Sequence, residues 1–380
     1  MNFKKYLSQP AFSVFSDELK VEIINTISLQ EILFSLSDNN FNSVINYILH
    51  TEYIYSSEGI FGLTHEILIT AIYRPKLQKK VVLLIVELLK HGSEDNKLSE
   101  IKVNIANFFS VESIHGSRYF FFFSECFRNG VLTEDDLRNS IDDMINAQSF
   151  LSFCWFSPLI YNIDRQKYKL FFNLTKLSHR VDISQYLSRI KVFSANNWKI
   201  HHQETMRGLH LSKIAICLIN DNIKTLQMLS SGDFNWNQTI PPYIFQRSPL
   251  LNHNPTLIQY AAFHGSLQCF KFLLFNGANL ELEDSDGMNL IQYAIMGGNV
   301  EIIRILEQED CSFLGAGQIA VLYHRYQIFD WILLTKNIDF MEPTGRLGSV
   351  LSQSIFSNNI KIFLLCYEKG FDPNSEIYVH

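Results

Sequence analysis

The pentapeptide Leu257-Ile258-Gln259-Tyr260-Ala261 occurs a second time, unchanged, as Leu290-Ile291-Gln292-Tyr293-Ala294, so the two copies lie 33 residues apart. The likeness continues at the same offset through four more pairs of similar residues: Gly265 and Gly298, Leu267 and Val300, Phe270 and Ile303, Leu273 and Leu306. A fixed period with the same residue classes at each position indicates stacked helix-turn-helix units. Such a stack offers a surface rather than a cleft, so we expect the chain to bind other molecules rather than to catalyse a reaction.

The composition is that of a globular protein. The chain has 380 residues, of which 47% are hydrophobic and 18% charged, which argues against disorder. Its net charge is −6, its pI is near 6.1, and the sequence has no long block of like charges. Because nucleic acids and anionic membranes are bound by clustered cations, these values argue against a dedicated binder of either.

The lack of a recognisable signal peptide or membrane span, together with the cysteine usage, predicts a cytoplasmic protein. The first residues lack the apolar core of a signal peptide. The longest aliphatic stretch, residues 81–89, is far shorter than the roughly 20 residues that cross a bilayer. The six cysteines are scattered singly, with no Cys-x-x-Cys pair. This pattern supports neither a zinc ribbon nor a redox motif, and unpaired thiols suit a reducing cytosol.

The first half of the chain carries helix signals without a visible period. Ser28-x-x-Glu31 and Thr133-x-x-Asp136 resemble capping boxes, and each predicts the start of a helix. Residues 64–92 have the pattern of a helix hairpin. Two interpretations fit this half: helix pairs whose repeat has degenerated, or a separate helical domain. The predicted domains are therefore residues 1–204 and 205–380.

The second half, from about residue 205, is predicted to hold roughly four or five repeats. The proline-bearing segment from Pro241 to Pro255 lengthens one connection and is expected to form a loop on one face of the stack. Beyond the two clear units, Ala320 follows Ala294 by 26 residues and Ser354 follows Ala320 by 34. The short interval predicts a shortened hairpin connection between Cys311 and Gln318.

Residues 256–284 align without a gap with the ankyrin pattern D-x-x-G-x-T-P-L-H-x-A-A, followed by a glycine turn, a V-x-x-L-L helix and G-A. The chain thus resembles a divergent ankyrin-repeat protein, closely over about 250–313 and more loosely over about 205–380. The resemblance implies an all-α solenoid of ankyrin-type helix-turn-helix units joined by short β-turn or hairpin connections. One such turn would be Asp284-Ser285-Asp286-Gly287.

Two departures from the ankyrin pattern affect the first helix of each clear unit. Leucine replaces the family's proline, which removes its preorganisation of the helix start. Thr256 and Asn289 are nevertheless expected to cap these helices. Gln259 and Gln292 replace the family's histidine, and their amides could bridge neighbouring units by hydrogen bonds.

Partners of ankyrin-repeat proteins contact the hairpin tips and the concave inner-helix face, so the resemblance implies a similar surface here. Carried over position by position, it would comprise Phe263, His264, Glu283, Ser285, Asp286, Met288 and Met296. Acidic residues at positions 281, 283, 284 and 286 lie beside the apolar members and would suit a basic or amphipathic peptide. The alternative is that these acids form only a solvated turn. Charge reversal at positions 283, 284 and 286 is expected to weaken binding and to leave the fold intact.

No group of residues predicts a catalytic, metal or cofactor site. The best metal-like cluster, His201-His202 with His210 and Glu204, is disfavoured because adjacent histidines on a helix point about 100° apart. Nucleotide-binding and hydrolase motifs are missing from the sequence. Three lysines within residues 76–80 are interpreted as the exposed start of a buried helix rather than as a phosphate site.

The last repeat differs from the others because its second helix, residues 360–367, is apolar nearly all round. The end of a solenoid normally has a polar outer face. Three explanations are open: self-association through this end, packing on a partner, or a truncated sequence.

These observations predict a non-catalytic scaffold or adaptor that binds other proteins, with no cofactor, no metal and no nucleic acid. The rival is an enzyme or ligand-binding domain in residues 1–204, with the repeats recruiting its substrate. A deep pocket lined by polar groups in that region would favour the rival. A third hypothesis is that the N-terminal half occupies the groove of its own repeats.

Overall fold

The computed structural model describes residues 7–336, 343–344 and 347–370. The described residues form 22 α-helices and no strand, and their β pairing is limited to an isolated bridge between Thr239 and Thr256. The predicted all-α fold is confirmed. Numbered along the chain, the helices are α1 Asp17–Phe34, α2 Phe41–Leu49, α3 Ser57–Tyr73, α4 Gln78–Lys90, α5 Glu100–His115, α6 Phe120–Arg128, α7 Glu134–Asn146, α8 Phe150–Ile163, α9 Arg165–Thr175, α10 Val181–Ser188, α11 Ile190–Ser194, α12 Lys199–Arg207, α13 Lys213–Ile219, α14 Ile223–Leu229, α15 Leu257–His264, α16 Leu267–Phe275, α17 Leu290–Gly297, α18 Val300–Gln308, α19 Ala316–Leu322, α20 Tyr326–Thr335, α21 Val350–Phe356 and α22 Ile360–Glu368.

The chain packs as two compact units, and neither is one continuous segment. The repeat unit is built from the described residues of Met1–Phe34, Leu211–Ile240 and His253–His380. The helical unit comprises Ser35–His210 and Pro241–Asn252. Compared with the predicted domains, residues 7–34 therefore pack with the repeats, and Pro241–Asn252 of the proline-bearing segment packs with the helical unit. That the first half consists of degenerate ankyrin-like repeats stays a prediction.

Five helix pairs form the repeat unit within its described residues, in agreement with the predicted four or five. Each pair has an inner helix followed by an outer one: α13 and α14, α15 and α16, α17 and α18, α19 and α20, α21 and α22. Successive inner helices contact one another along the stack. The connection from α18 to α19 has seven residues, 309–315, whereas that from α16 to α17 has fourteen, 276–289. The predicted shortened connection is confirmed.

Both copies of the pentapeptide begin a helix at a capping box. Thr256 Oγ1 accepts a hydrogen bond from the Gln259 backbone N–H at 3.3 Å, and the Gln259 side chain accepts one from the Thr256 N–H at 2.8 Å. Asn289 and Gln292 make the same two bonds, both at 3.0 Å. Because two backbone donors are satisfied at each start, the helices form without the family's proline. The predicted caps are confirmed.

Glutamine bridges hold three of the five inner helices to the connection that follows each of them. The amide nitrogens donate forward along the stack in three repeats: Gln259 Nε2 to the carbonyl oxygens of Leu282 at 2.8 Å and Met288 at 3.1 Å, Gln292 Nε2 to that of Leu314 at 3.3 Å, and Gln318 Nε2 to Thr344 Oγ1 at 2.7 Å. These glutamines are nearly inaccessible to solvent, so unpaired amides would be costly there. The bridging that the sequence allowed is confirmed.

The end of the stack is covered by residues 7–34, which we call the cap segment. Its helix α1 contacts α22, and side chains from both form one apolar cluster: Leu7, Phe12, Ile27 and Leu364, with Phe15, Ile23, Ile24, Ile360 and Tyr367 packed against them. The rings of Phe12 and Phe15 stack on Tyr367, with centroids 5.9 and 5.7 Å apart. The face that looked uncovered in the sequence is therefore buried.

More polar contacts fix the cap segment on the last two repeats. They are a hydrogen bond from Gln30 Nε2 to the Asn358 carbonyl oxygen, an ion pair between Glu31 and Lys361 at 3.0 Å, and a stack of Phe34 on His324 with ring centroids 3.8 Å apart. Gln30 and Asn358 are separated by 328 residues of sequence. The expectation of an apolar end open to self-association is thus corrected, because a distant segment of the same chain covers it.

Two of the predicted helix starts have different outcomes. α7 follows the Thr133 capping box, in which the Thr133 N–H donates to Asp136 Oδ2 at 2.7 Å, so that prediction is confirmed. The start predicted at Ser28 is wrong, because this residue lies inside α1 and its hydroxyl donates to the Ile24 carbonyl oxygen at 2.8 Å. A serine inside a helix can make this bond to the residue four positions earlier without any break.

The helical unit contains α2 to α12, and α3 and α4 form the predicted hairpin with Pro75 between them. The segment Pro241–Asn252 is bonded into this unit rather than projecting from the stack as a loop. Trp155 Nε1 donates to the Ile244 carbonyl oxygen at 3.0 Å, and the Arg247 N–H donates to that of Gly208 at 2.9 Å. The predicted insertion is therefore a structural part of the other unit.

Within the described ranges, 7–336, 343–344 and 347–370, every helix is too short or too polar to traverse a lipid bilayer.

Candidate protein-interaction site

A hairpin tip lies between α16 and α17, and Asp284 organises it. Asp284 Oδ1 accepts the backbone N–H groups of Asp286 at 2.8 Å and Met288 at 2.9 Å, and Oδ2 accepts the Tyr293 hydroxyl at 2.5 Å. Burial raises the pKa of Tyr293 well above its usual range, and the Asp284 charge raises it further. Asp284 is itself buried. The expectation that its charge could be reversed without harm to the fold is corrected, because the carboxylate holds the turn together.

Residues outside the hairpin fix the tip from both sides. The Ser285 N–H and hydroxyl both donate to the His253 carbonyl oxygen at 2.8 Å, and His253 Nδ1 lies 3.7 Å from Asp286. The Asn279 N–H donates to Asn237 Oδ1 at 2.8 Å. His253 and Asn237 lie in connections without a period, so sequence reasoning had no signal for either. These bonds make the tip a preformed surface.

The polar members of the predicted site are accessible. Glu283 and Ser285 are exposed at the tip, and so is Glu281 beside them. Asp286 is partly buried by its contact with His253. His264 is also partly buried. It lies at the end of α15, one helix before the tip.

The apolar members of the predicted site are buried. Phe263, Met288 and Met296 are 5%, 8% and 3% exposed, so the expectation that they face solvent is wrong. The reason is that the inner helices are enclosed almost completely: seven of the eight residues of α15 and seven of the eight of α17 are buried. The Phe263 ring packs edge-on against Tyr293, with centroids 6.4 Å apart. These three side chains fill the interior, and the accessible part of the site is acidic.

The histidine cluster of the helical unit serves packing and ion pairing. Both Glu204 oxygens bind the Arg189 guanidinium, and Oε2 also accepts the Tyr243 hydroxyl at 2.6 Å. His201 Nε2 donates to the Cys154 carbonyl oxygen at 2.7 Å, and burial lowers the pKa of this imidazole to about 3. Among the described residues, no group of three or more histidine, cysteine or acidic side chains is placed to share a metal ion.

A cavity of about 220 Å³ lies beside the same ion pair in the helical unit. Its lining includes Arg189, Tyr186, Phe193 and Tyr243. Ligand pockets usually measure about 300–1,000 Å³ and present polar groups that are available to the ligand. Here the one charged lining group already binds Glu204, so the cavity gives the rival enzyme hypothesis little support.

Comparison with known families gives a match over the stack. The family model described as ankyrin repeats (3 copies) matches residues 213–315 and again residues 257–376. The first match begins at α13 and the second at α15, so both fall within the five helix pairs of the repeat unit. No curated protein matches the chain.

Proposed function

Because residues 213–376 are ankyrin repeats, and such repeats are generally protein-interaction modules, we propose that this chain is a non-catalytic scaffold that binds a partner protein through its hairpin tip. One observation carries the proposal: Glu283 is exposed immediately before a turn that Asp284 fixes, and Glu281, whose N–H donates to Asn279 Oδ1, is exposed two residues earlier. A preformed turn loses little conformational entropy when a partner binds.

The chemistry of the tip favours a basic segment as the partner. Its exposed side chains are carboxylates and a serine, and Asp286 adds a further acid at its edge. Complementary charge speeds association and selects against acidic partners. The inner-helix face is left out of the proposal, because Phe263, Met288 and Met296 are buried.

The same proposal covers compartment and chemistry. All six cysteines are described and free, and five are buried, which fits the reducing conditions of the cytoplasm. The scaffold needs no cofactor, metal or catalytic residue for this role. Self-association through α22 is not proposed, because the cap segment already covers that helix.

The test compares the intact chain with the double variant Glu281→Lys, Glu283→Lys in affinity capture followed by mass spectrometry. We expect a set of proteins to be lost with the tip variant only. For any one of them, the dissociation constant should rise by about tenfold or more at low salt, and by less as ionic strength increases.

A matched control reverses two exposed acids in the helical unit, Glu134→Lys and Asp135→Lys on α7. The change in net charge is the same, so a loss seen with both variants would be a general charge effect. Circular dichroism should give equal helicity for all three proteins. Recovery of the same proteins by the tip variant and the intact chain would refute binding at the tip.

A further inference from the structure

Two cationic side chains from distant parts of the sequence, Lys79 and Arg247, lie against Phe121 in the helical unit, and a third, Arg128, is close enough for its charge to act on Lys79. Lys79 lies in the first turn of α4, Arg128 at the end of α6, and Arg247 in the segment Pro241–Asn252. Lys79 Nζ is 5.8 Å from the centroid of the Phe121 ring, and the Arg247 guanidinium carbon is 4.5 Å from the same centroid. The sequence showed only the lysines of residues 76–80, which by themselves did not indicate a phosphate site.

The cluster carries more positive than negative charge. Its one nearby carboxylate is Glu125, which is buried and binds Arg128 at 2.5 Å. Three cations and one anion leave a net charge of +2. Burial lowers the pKa of Lys79, and although Glu125 opposes this shift, Arg247 and Arg128 lower the pKa further. The site thus holds uncompensated positive charge.

Two of the three cations lack an anionic partner among the described residues. The Arg247 side chain makes one hydrogen bond, from Nη2 to the Arg207 carbonyl oxygen at 2.9 Å, and its Nε is buried without a partner. Lys79 makes no ion pair with any residue that the structure describes, whereas the adjacent Lys80 binds Asp38 at 2.7 Å. Contact with the Phe121 ring attracts both cations but does not neutralise them. Partly buried charges are normally paired.

We propose that Lys79, Arg128 and Arg247 form a binding site for a phosphate group. A phosphate monoester carries about −1.5 to −2 charges at neutral pH, which matches the surplus of +2 better than a carboxylate does. It also presents several acceptor oxygens to the donors of Lys79 and Arg247. The phosphate is either free or attached to a peptide, since both present the same oxygens. This site is separate from the acidic tip and does not depend on the proposed function.

The test is isothermal titration of the full chain at constant ionic strength with three probes: inorganic phosphate, a phosphoserine peptide, and the same peptide without phosphate. We expect saturable binding of at least one phosphorylated probe and none of the plain peptide. Lys79→Met and Arg247→Met should each weaken that binding by about tenfold, because each removes a charged hydrogen bond. Binding of the phosphoserine peptide but not of inorganic phosphate would identify a phosphorylated protein as the source. Equal binding of inorganic phosphate would identify the free anion.

The matched control is Lys76→Met, which removes an exposed lysine three residues before Lys79. It should leave the affinity within about twofold of the intact chain. Arg247 also packs on Phe121, so Lys79→Met decides the question if Arg247→Met does not fold. No heat with either phosphorylated probe, or equal weakening by Lys76→Met and Lys79→Met, would overturn the proposal.

Discussion

The outer helices of the central repeats and of the last repeat carry opposite kinds of side chain at one equivalent position. Lys271, Arg304 and Asp330 occupy it in α16, α18 and α20, and all three are exposed. The offsets of 33, 26 and then 34 residues place Leu364 at the same position in α22, where it is 2% exposed. In the central repeats the side chain at this position faces solvent, whereas in the last repeat it faces the cap segment.

This difference shows how the stack ends. A repeat in the middle is covered on both sides by its own kind, whereas the last described repeat is covered on one side by the cap segment. The usual solution is a polar terminal repeat; here the terminal helix is apolar and a helix of another sequence covers it. The cap need not be adjacent in sequence, since Gln30 reaches Asn358 across 328 residues.

The largest effect should come from giving the last repeat the central side chain. Leu364→Lys would place a charge in the cluster under the cap segment and should lower the free energy of unfolding by about 3 kcal/mol or more. Lys271→Leu, the reverse change at an exposed position, should alter it by only about 0.5 kcal/mol. Thermal or urea unfolding measures both. Equal effects would mean that the cap segment does not bury position 364 in solution.

A smaller loss is expected in a central repeat when Asp284 is truncated. Asp284→Ala removes the acceptor of two backbone N–H groups and of the Tyr293 hydroxyl, and should cost about 2 kcal/mol. The neighbouring Glu283→Ala should stay within about 0.5 kcal/mol, because that side chain is exposed. Urea unfolding compares the two. A loss of the same size at both positions would contradict the structural role of Asp284.

Loss of a glutamine bridge in a central repeat should lower the free energy of unfolding by about 1–2 kcal/mol. Gln259→Ala would leave the carbonyl oxygens of Leu282 and Met288 without this donor and would open the capping box at Thr256. The exposed Gln268→Ala, on the outer helix of the same repeat, is the control and should be nearly neutral. Unfolding midpoints that do not distinguish the two variants would argue against the bridge.

The smallest effect should come from the ion pair that joins the cap segment to α22. Glu31→Gln removes the ion pair with Lys361, and the Glu31 side chain is about half exposed. Surface pairs of this kind contribute about 0–1 kcal/mol and are weakened by salt. The midpoint of unfolding should fall slightly at low salt and should be unchanged at high salt. A large loss that persists at high salt would show that charge, rather than the apolar cluster, holds the cap segment.

The repeated pentapeptide was sufficient to predict the inner helices, their caps and the shortened connection, because each depends on residues close in sequence. The apolar character of α22 was also visible. What covers it was not, because α1 shares no period with the repeats and its partners lie hundreds of residues away. For the same reason the exposure of Phe263 and Met296 was misjudged: burial depends on what packs over a helix, and one helix sequence does not specify that.

The candidate sites divide along the same line. The acidic turn at residues 281–286 could be predicted as a tip, since its residues are consecutive. The supporting role of Asp284 could not be predicted. Its hydroxyl partner, Tyr293, belongs to the repeated pentapeptide and was therefore interpreted as a packing residue. Arg247 was hidden more deeply, because it reaches Phe121 only after Pro241–Asn252 has joined the other unit.

The separation of the cap segment from α22 also sets an order of events during synthesis. Residues 7–34 are synthesised some 330 residues before the last described repeat, an interval on the order of tens of seconds at usual elongation rates. Throughout that interval the apolar side chains of Phe12 and Ile27 have no α22 to cover them. Until α22 is made, these side chains are therefore exposed on the nascent chain, where uncovered apolar surface favours aggregation.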